Sequence, residues 1–276
     1  MVFEYLEYDL ASIIETKEIE FTLDHIKSWS RQLMKGVQYM HDNGIIHRDL
    51  KSSNILISRQ GELKIADLGL ARDWTPEMKR LTNLVITLWY RPPELLLGCV
   101  RYSPKIDMWS VGCIIAELFL CSALLRGDIE SHQLYLIFKM MGHPNTNDTD
   151  DQGWPNINAM CPLWKNYKPE EEGFPRRLRE ELTSRLPPSA MNWMTPHAMD
   201  LIDHLLAYNP ERRMSAVQGL TAQWFFDNPI VKSADELNMN FDVESAHEWE
   251  MMNNKFTKEA RLVSSCPEAA CHLSRQ

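Results

Sequence analysis

The sequence predicts a mainly α-helical fold that carries one small β-hairpin. Three observations point there: an amphipathic stretch at helical spacing over residues 22 to 43, a helix-length apolar run from Ile106 to Leu120, and two short β-prone runs, Ile55-Leu56-Ile57 and Leu63-Lys64-Ile65, joined through Gln60-Gly61.

The first helix opens on Thr22 as N-cap. Ile26, Trp29, Leu33, Val37 and Met40 then recur at the helical period until Asn43-Gly44 stops it. The run from Ile106 to Leu120 is apolar on nearly every face and too short to cross a membrane, so it belongs at the centre of a helical lobe. Further helices are expected at 131 to 141, at 197 to 208 with Thr195-Pro196 as cap and first turn, and at 215 to 226 after Ser215. Residues 143 to 190 are rich in Pro, Asp, Glu and Trp without a sustained period, and read as a long surface insertion. Beyond about residue 228 the chain turns polar, with one further helix expected around 244 to 260.

With 276 residues and 44% hydrophobic content, the chain can bury a full-sized core in one or two domains. Asp and Glu number 38 against 29 Lys and Arg, and the net charge of -9 argues against broad attraction to nucleic acid or acidic membrane. No apolar run reaches membrane length, and Met1-Val-Phe-Glu is not the basic start of a secretory signal. The six cysteines form no C-x-x-C pair and read as reduced, buried thiols, which fits a nuclear or cytoplasmic setting. Cys266 and Cys271-His272 would make an incomplete metal site.

The chemistry is concentrated in one stretch. Phosphoryl transfer to a hydroxyl needs a carboxylate to orient the nucleophile and accept its proton, divalent cations on the phosphates, and positive charge on the transferring group. In His47-Arg48-Asp49-Leu50-Lys51, Asp49 stands as catalytic base and Lys51 can reach the γ-phosphate of ATP; Asn54 can take one metal ion, and Asp67 of Asp67-Leu68-Gly69 can hold Mg²⁺. A lone His-Arg-Asp is common by chance; this spacing followed by a hairpin and Ala-Asp-Leu-Gly is specific.

These motifs resemble the protein kinase superfamily, and more narrowly the cyclin-dependent kinases, over residues 1 to about 228. The resemblance implies a hinge and the end of an N-lobe strand at 1–10, a C-lobe at 11–228 and a C-terminal tail at 229–276. Phe3 would be the gatekeeper, the backbone of Glu4 and Leu6 would face adenine, Asp9 would meet the ribose and Leu56 would floor the adenine pocket. Val85-Ile86-Thr87-Leu88-Trp89-Tyr90-Arg91-Pro92-Pro93-Glu94 is similar to the end of an activation segment, with Thr82 as phosphosite and Arg48 and Arg72 as partners of its phosphate. By the same resemblance, Thr87 bridges Asp49 and Lys51, His47 is a strut under the loop, Asp107 holds the loop backbone, and Glu94 pairs with Arg213. Leu68, in place of the usual Phe, is expected to fill an apolar slot. Arg91 would turn a carbonyl near Val85-Ile86 away from substrate, favouring proline after the acceptor, and so Ser-Pro or Thr-Pro targets.

Pro92, the run Val-Ile-Thr-Leu-Trp-Tyr and Ser245-Ala246-His247-Glu248 are similar to the transcription-elongation branch, which implies a nuclear enzyme acting on the C-terminal domain of RNA polymerase II. ATP and Mg²⁺ are the implied cofactors and a cyclin the implied partner. The likeness starts on the hinge strand, with no Gly-rich loop and no Val-Ala-Ile-Lys strand. The expected fold is therefore a kinase-like C-lobe with a small hairpin, lacking the β-rich N-lobe. Such a truncated chain is expected to transfer no phosphate alone, the alternative being a noncatalytic interaction module.

Overall fold

The computed structural model describes residues 4–16, 19–77, 81–83, 85–146, 153–169 and 173–239. Phe3, His247, Glu248, the expected helix at 244 to 260, Cys266 and Cys271 lie outside them.

The described chain opens on strand β1 (Tyr8–Asp9), followed by helix α1 (Leu10–Glu15), whose N-cap is Asp9. Helix α2 (Leu23–Asp42) starts where Thr22 predicts, with the Thr22 amide donating to His25 Nδ1 at 3.1 Å. It ends at Asn43, and Gly44 takes φ +70°, a region open to glycine at no steric cost. Strand β2 (Ile45–Ile46) then leads into the His47 loop. Strands β3 (Ile55–Ile57) and β4 (Leu63–Ile65) form the expected hairpin, pairing Ile55 with Ile65 and Ile57 with Leu63. Strand β5 (Arg72–Asp73) returns antiparallel to β2.

The hairpin does not stand alone. Strand β1 pairs with β3, Tyr8 opposite Ile57 and Asp9 opposite Leu56, so the sheet has three strands in the order β1-β3-β4. The description as an α lobe with a hairpin and nothing of a β-rich start is corrected accordingly. A strand of two residues has no period to read, and its partner lies far along the chain.

Short helix α3 (Pro93–Leu96) precedes α4 (Lys105–Leu120), in which every residue from Ile106 to Leu120 is buried. Helix α4 packs against α2 and against α8 (Pro196–Leu205). The approach is close at Gly112, where an added Cβ would lie 2.9 Å from Leu206 Cδ2, and this leaves room for hydrogen alone. Helix α5 (Glu130–Met141) follows the predicted span within a residue.

Residues 143 to 190 depart from the surface insertion expected. They hold α6 (Ile157–Met160) and α7 (Leu178–Arg185), and they send Trp154, Ile157, Cys161, Trp164, Leu178 and Leu182 into the core. These apolar residues are spread among short helices, a 3₁₀ turn and loops, so no single period betrays them. The helix expected at 215 to 226 is instead α9 (Ala216–Leu220) and a separate 3₁₀ turn at Gln223–Phe226, which buries the consecutive Trp224 and Phe225. Cys99, Cys113 and Cys161 are buried as expected, whereas Cys121 is exposed just past the end of α4.

Candidate active site

The loop after β2 is shaped from below by α4. Asp107, in the first turn of α4 and fully buried, accepts the backbone N–H of His47 at 2.9 Å and of Arg48 at 3.0 Å, while His41 Nε2, from the last turn of α2, lies 2.9 Å from the same carboxylate. Arg48 has φ +67°, a strained value for a side chain with a Cβ, and this carboxylate is what holds it there. The buried His47 ring donates from Nε2 to the Ala66 carbonyl at 3.0 Å and accepts the Asp49 amide at Nδ1, 3.2 Å. One ring thus ties Asp49 to the backbone beside Asp67, in the neutral tautomer these two bonds require.

Asp49 is buried, and its carboxylate is fully engaged. Oδ1 accepts the Thr87 amide at 3.0 Å and hydroxyl at 2.9 Å; Oδ2 lies 3.0 Å from Lys51 Nζ and 3.3 Å from Asn54 Nδ2. Burial pushes the Asp49 carboxyl up, but the hydrogen bonds from Lys51 and Thr87 and the Lys51 charge outweigh it and hold the group below the usual carboxylate range. Lys51 Nζ also donates to Thr87 Oγ1 at 3.2 Å, so Thr87 bridges the pair.

Asn54 Nδ2 also donates to the Asp49 carbonyl at 2.9 Å, which leaves its side-chain oxygen as an acceptor. The Asn54 carbonyl takes the Ala66 amide at 2.9 Å, setting Asp67 one residue beyond the hairpin ladder. Asp67 is exposed at φ +61°, with Oδ1 accepting the Gly69 amide at 3.2 Å. Among the described residues no three His, Cys, Asp or Glu side chains cluster as a metal cage. Mg²⁺ on phosphates does not need one, because it binds through one or two protein oxygens with phosphate and water completing its shell. The donor set Asn54 Oδ1 and Asp67 carboxylate fits that demand. Leu68 does not fill an apolar slot: the 3₁₀ turn after Asp67 carries it to the surface, where it is 60% exposed.

The residues expected around adenine lie at the sheet. Leu56 alternates with the fully buried Ile55 and Ile57 and so faces away from the helical core. Leu6 is buried, and the exposed Glu4 carboxylate pairs with Lys64. Both oxygens of Asp9 are taken by Ser12, from its amide at 2.9 Å and its hydroxyl at 2.5 Å, so the carboxylate expected at a ribose caps α1.

In the 81–91 region, Arg91 forks onto the Ile86 carbonyl from Nε at 3.2 Å and Nη2 at 3.0 Å, and Nη1 meets Glu130 at 2.5 Å. Ile86 sits at φ +67°, a costly conformation for a β-branched residue, and the Arg91 fork anchors it. Thr82 is exposed. Of its two expected partners, Arg48 donates from Nε to the Leu70 carbonyl at 2.8 Å and from Nη1 to the Tyr102 hydroxyl at 3.1 Å, and Arg72 donates to the Ala71 carbonyl at 2.7 Å. Glu94 and Arg213 form a two-pronged buried pair at 2.6 and 2.9 Å.

Two further constellations went unread in the sequence. Tyr102 is one. The other joins Ser52, Tyr90 and Glu117: the Tyr90 hydroxyl lies 2.8 Å from Ser52 Oγ and donates to Glu117 at 2.9 Å. Burial pushes Glu117 up to about 7 against the hydrogen bonds of Tyr90 and Ser52. The available signal was a carboxylate flanked by apolar residues in the second half of α4, which needs a partner when buried.

Comparisons with known proteins identify the family. Residues 1–225 match the protein kinase domain. Cyclin-dependent kinase 12 of Caenorhabditis elegans is 42% identical over 265 residues, covering 95% of this chain and 33% of the relative. Cyclin-dependent kinase C-2 of Oryza sativa subsp. japonica is 43% identical, over 83% of this chain and 42% of the relative. The chain thus spans between a third and a half of these curated relatives. Among solved structures, the yeast RNA Pol II CTD kinase CTDK-1 complex aligns with TM-score 0.75 at 39% identity, over 84% of this chain and 72% of that one. The CAK complex from Chaetomium thermophilum bound to ATP-gamma-S aligns with TM-score 0.74 at 35% identity, over 85% and 69%. Because the domain match begins at residue 1 and the solved neighbours are covered for most of their length, the expectation of a fold defined by a lacking N-lobe is withdrawn. The chain belongs to the protein kinase family, and its relatives are cyclin-dependent kinases.

Proposed function

We propose that the protein is a cyclin-dependent-type serine/threonine kinase that transfers the ATP γ-phosphate to Ser-Pro or Thr-Pro sites, with the C-terminal domain of RNA polymerase II as substrate class, in the nucleus. The observation that carries the reading is the engagement of Asp49, ionised and fixed on four sides by Thr87, Lys51 and Asn54 beside the Asp67 turn.

In this reading Asp49 orients the substrate hydroxyl and takes its proton, and Lys51 and Thr87 hold the carboxylate in place while Lys51 presents charge to the γ-phosphate. Asn54 and Asp67 would hold Mg²⁺, which would neutralise charge on the phosphates. Backbone at Glu4 and Leu6, with Leu56 beneath, would receive adenine. The Arg91 fork on the Ile86 carbonyl removes an acceptor beside the substrate, so a proline without N–H loses nothing there. Phosphate on Thr82 would be met by Arg48 and Arg72.

The test is transfer of labelled phosphate from ATP to a Ser-Pro peptide by the protein purified with its bound cyclin. The chain alone is expected to be silent, the complex active, and the Asp49→Ala complex inactive. A complex that transfers nothing overturns the reading and leaves a noncatalytic interaction module, and transfer that survives Asp49→Ala overturns the role given to Asp49.

A further inference from the structure

Thr82 is tied to the catalytic loop by one side chain that the assignment above leaves out. The Tyr102 hydroxyl donates to the Thr82 carbonyl at 2.5 Å and accepts Arg48 Nη1 at 3.1 Å. Arg48 is the residue before Asp49, and its own backbone is locked to Asp107. The chain of contacts therefore runs from Thr82 through one phenol to the neighbour of the proposed base.

The tie is built on a firm footing. The Tyr102 carbonyl accepts Trp74 Nε1 at 3.0 Å, and the Tyr102 ring packs on the core. Beside it the Leu81 amide donates to the Val100 carbonyl at 2.8 Å, so the segment meets the 100–102 stretch at two successive residues. The chemistry also requires this residue type. A hydroxyl can accept from a guanidinium and donate to a carbonyl at once, whereas Phe can do neither and would leave both groups without this link. Burial raises the Tyr102 phenol, against the effect of Arg48, so it stays protonated and able to donate.

We infer that Tyr102 is a positioning residue that docks the Thr82 end of the activation segment on Arg48 while Thr82 is unmodified. A phosphate on Thr82 then strengthens a contact with Arg48 already in place. The inference rests on the kinase reading for the meaning of Thr82, but the tie itself is tested without any activity.

The experiment compares wild type with Tyr102→Phe in the full protein, following hydrogen exchange at the Leu81, Thr82 and Asn83 amides and in α4. With Thr82 unphosphorylated, losing one such tie should speed exchange at 81–83 by roughly five- to tenfold and leave α4 unchanged. With Thr82 phosphorylated, the difference should shrink to less than about twofold as the phosphate takes over Arg48. Tyr102→His, which keeps a polar ring, should fall between the two. Unchanged exchange at 81–83, or faster exchange in α4 as well, overturns the inference. A difference that persists in full after phosphorylation overturns the handover to phosphate. If phosphorylation of Thr82 leaves kinase activity unmoved, the reading of Thr82 as activating fails, and exchange in the unphosphorylated protein still decides whether Tyr102 docks the segment.

Discussion

Thr87 delivers two hydrogen bonds to a single oxygen of Asp49, from its amide at 3.0 Å and its hydroxyl at 2.9 Å. Thr87→Ala keeps the first and removes the second. A hydrogen bond to a charged group contributes about 1.5–3 kcal/mol, so kcat is expected to drop by about ten- to a hundredfold, with Thr87→Ser close to wild type. The sign of the pH effect follows from the depressed Asp49 carboxyl: with one stabilising bond gone, it rises toward its ordinary value. The acid limb of the pH–rate profile should therefore move to higher pH. A Thr87→Ala profile that overlays wild type would rule out this role.

Arg91 holds the Ile86 carbonyl with two parallel donors, a geometry lysine cannot copy. In Arg91→Lys the preference for Ser-Pro over Ser-Ala peptides should fall by about tenfold, since one lost charge-assisted bond is of that size. The ratio of kcat/KM for the two peptides is the measurement; an unaltered ratio would show that proline selection lies elsewhere.

Arg213 is fully buried, paired with Glu94, and donates as well to the Ala207, Lys105 and Tyr208 carbonyls. Truncating one partner strands a buried charge, so Arg213→Ala should lower stability by roughly 3–5 kcal/mol in denaturant titration. Pairing Glu94→Leu with Arg213→Met should recover part of that loss, because the stranded charge is then gone.

Glu117 gives a pH signature of its own. Burial raises its carboxyl from 4.5 to about 7, so between these values the folded protein keeps a proton that the unfolded chain has released. Its contribution to stability is present in full below the lower value, falls as pH rises through this window and levels off above it. The loss is on the order of 3 kcal/mol. Denaturation at a series of pH values should show this slope in wild type and a flatter one in Glu117→Gln. Equal slopes would place the titration outside Glu117.

Local signals carried much of this fold. The Thr22 cap, the 3.6-residue period behind it and the Gln60-Gly61 turn each act over a few residues, and α2 and the hairpin follow them. Gly61, at φ +79°, is in addition pressed against the Ala234 carbonyl, where an added Cβ would stand 2.8 Å away. Strand β1 was not legible because two residues draw their stability from a partner some fifty positions away. The 143 to 190 region misled for a related reason: Trp154 and Trp164 enter the core singly, from a loop and from a 3₁₀ turn. In the candidate site, spacing placed Asp49, Asn54 and Asp67 near one another because a short loop and one hairpin separate them. The hydroxyls of Tyr90 and Tyr102 are set by distant contacts, and nothing around them in the sequence marks them out. Leu68 was assigned by analogy with a larger residue, and the turn geometry exposes it instead.

The Asp107 carboxylate collects N–H groups from the end of α2 and from two successive loop residues, and it does so from a helix buried along all of Ile106 to Leu120. The shape of the loop that carries Asp49 is therefore dictated by the interior. Substitutions at exposed positions around the loop can leave its backbone where it is, because the contacts that fix His47 and Arg48 lie beneath them. The position of Asp49 is thereby an interior property of the fold, carried outward by a single buried side chain.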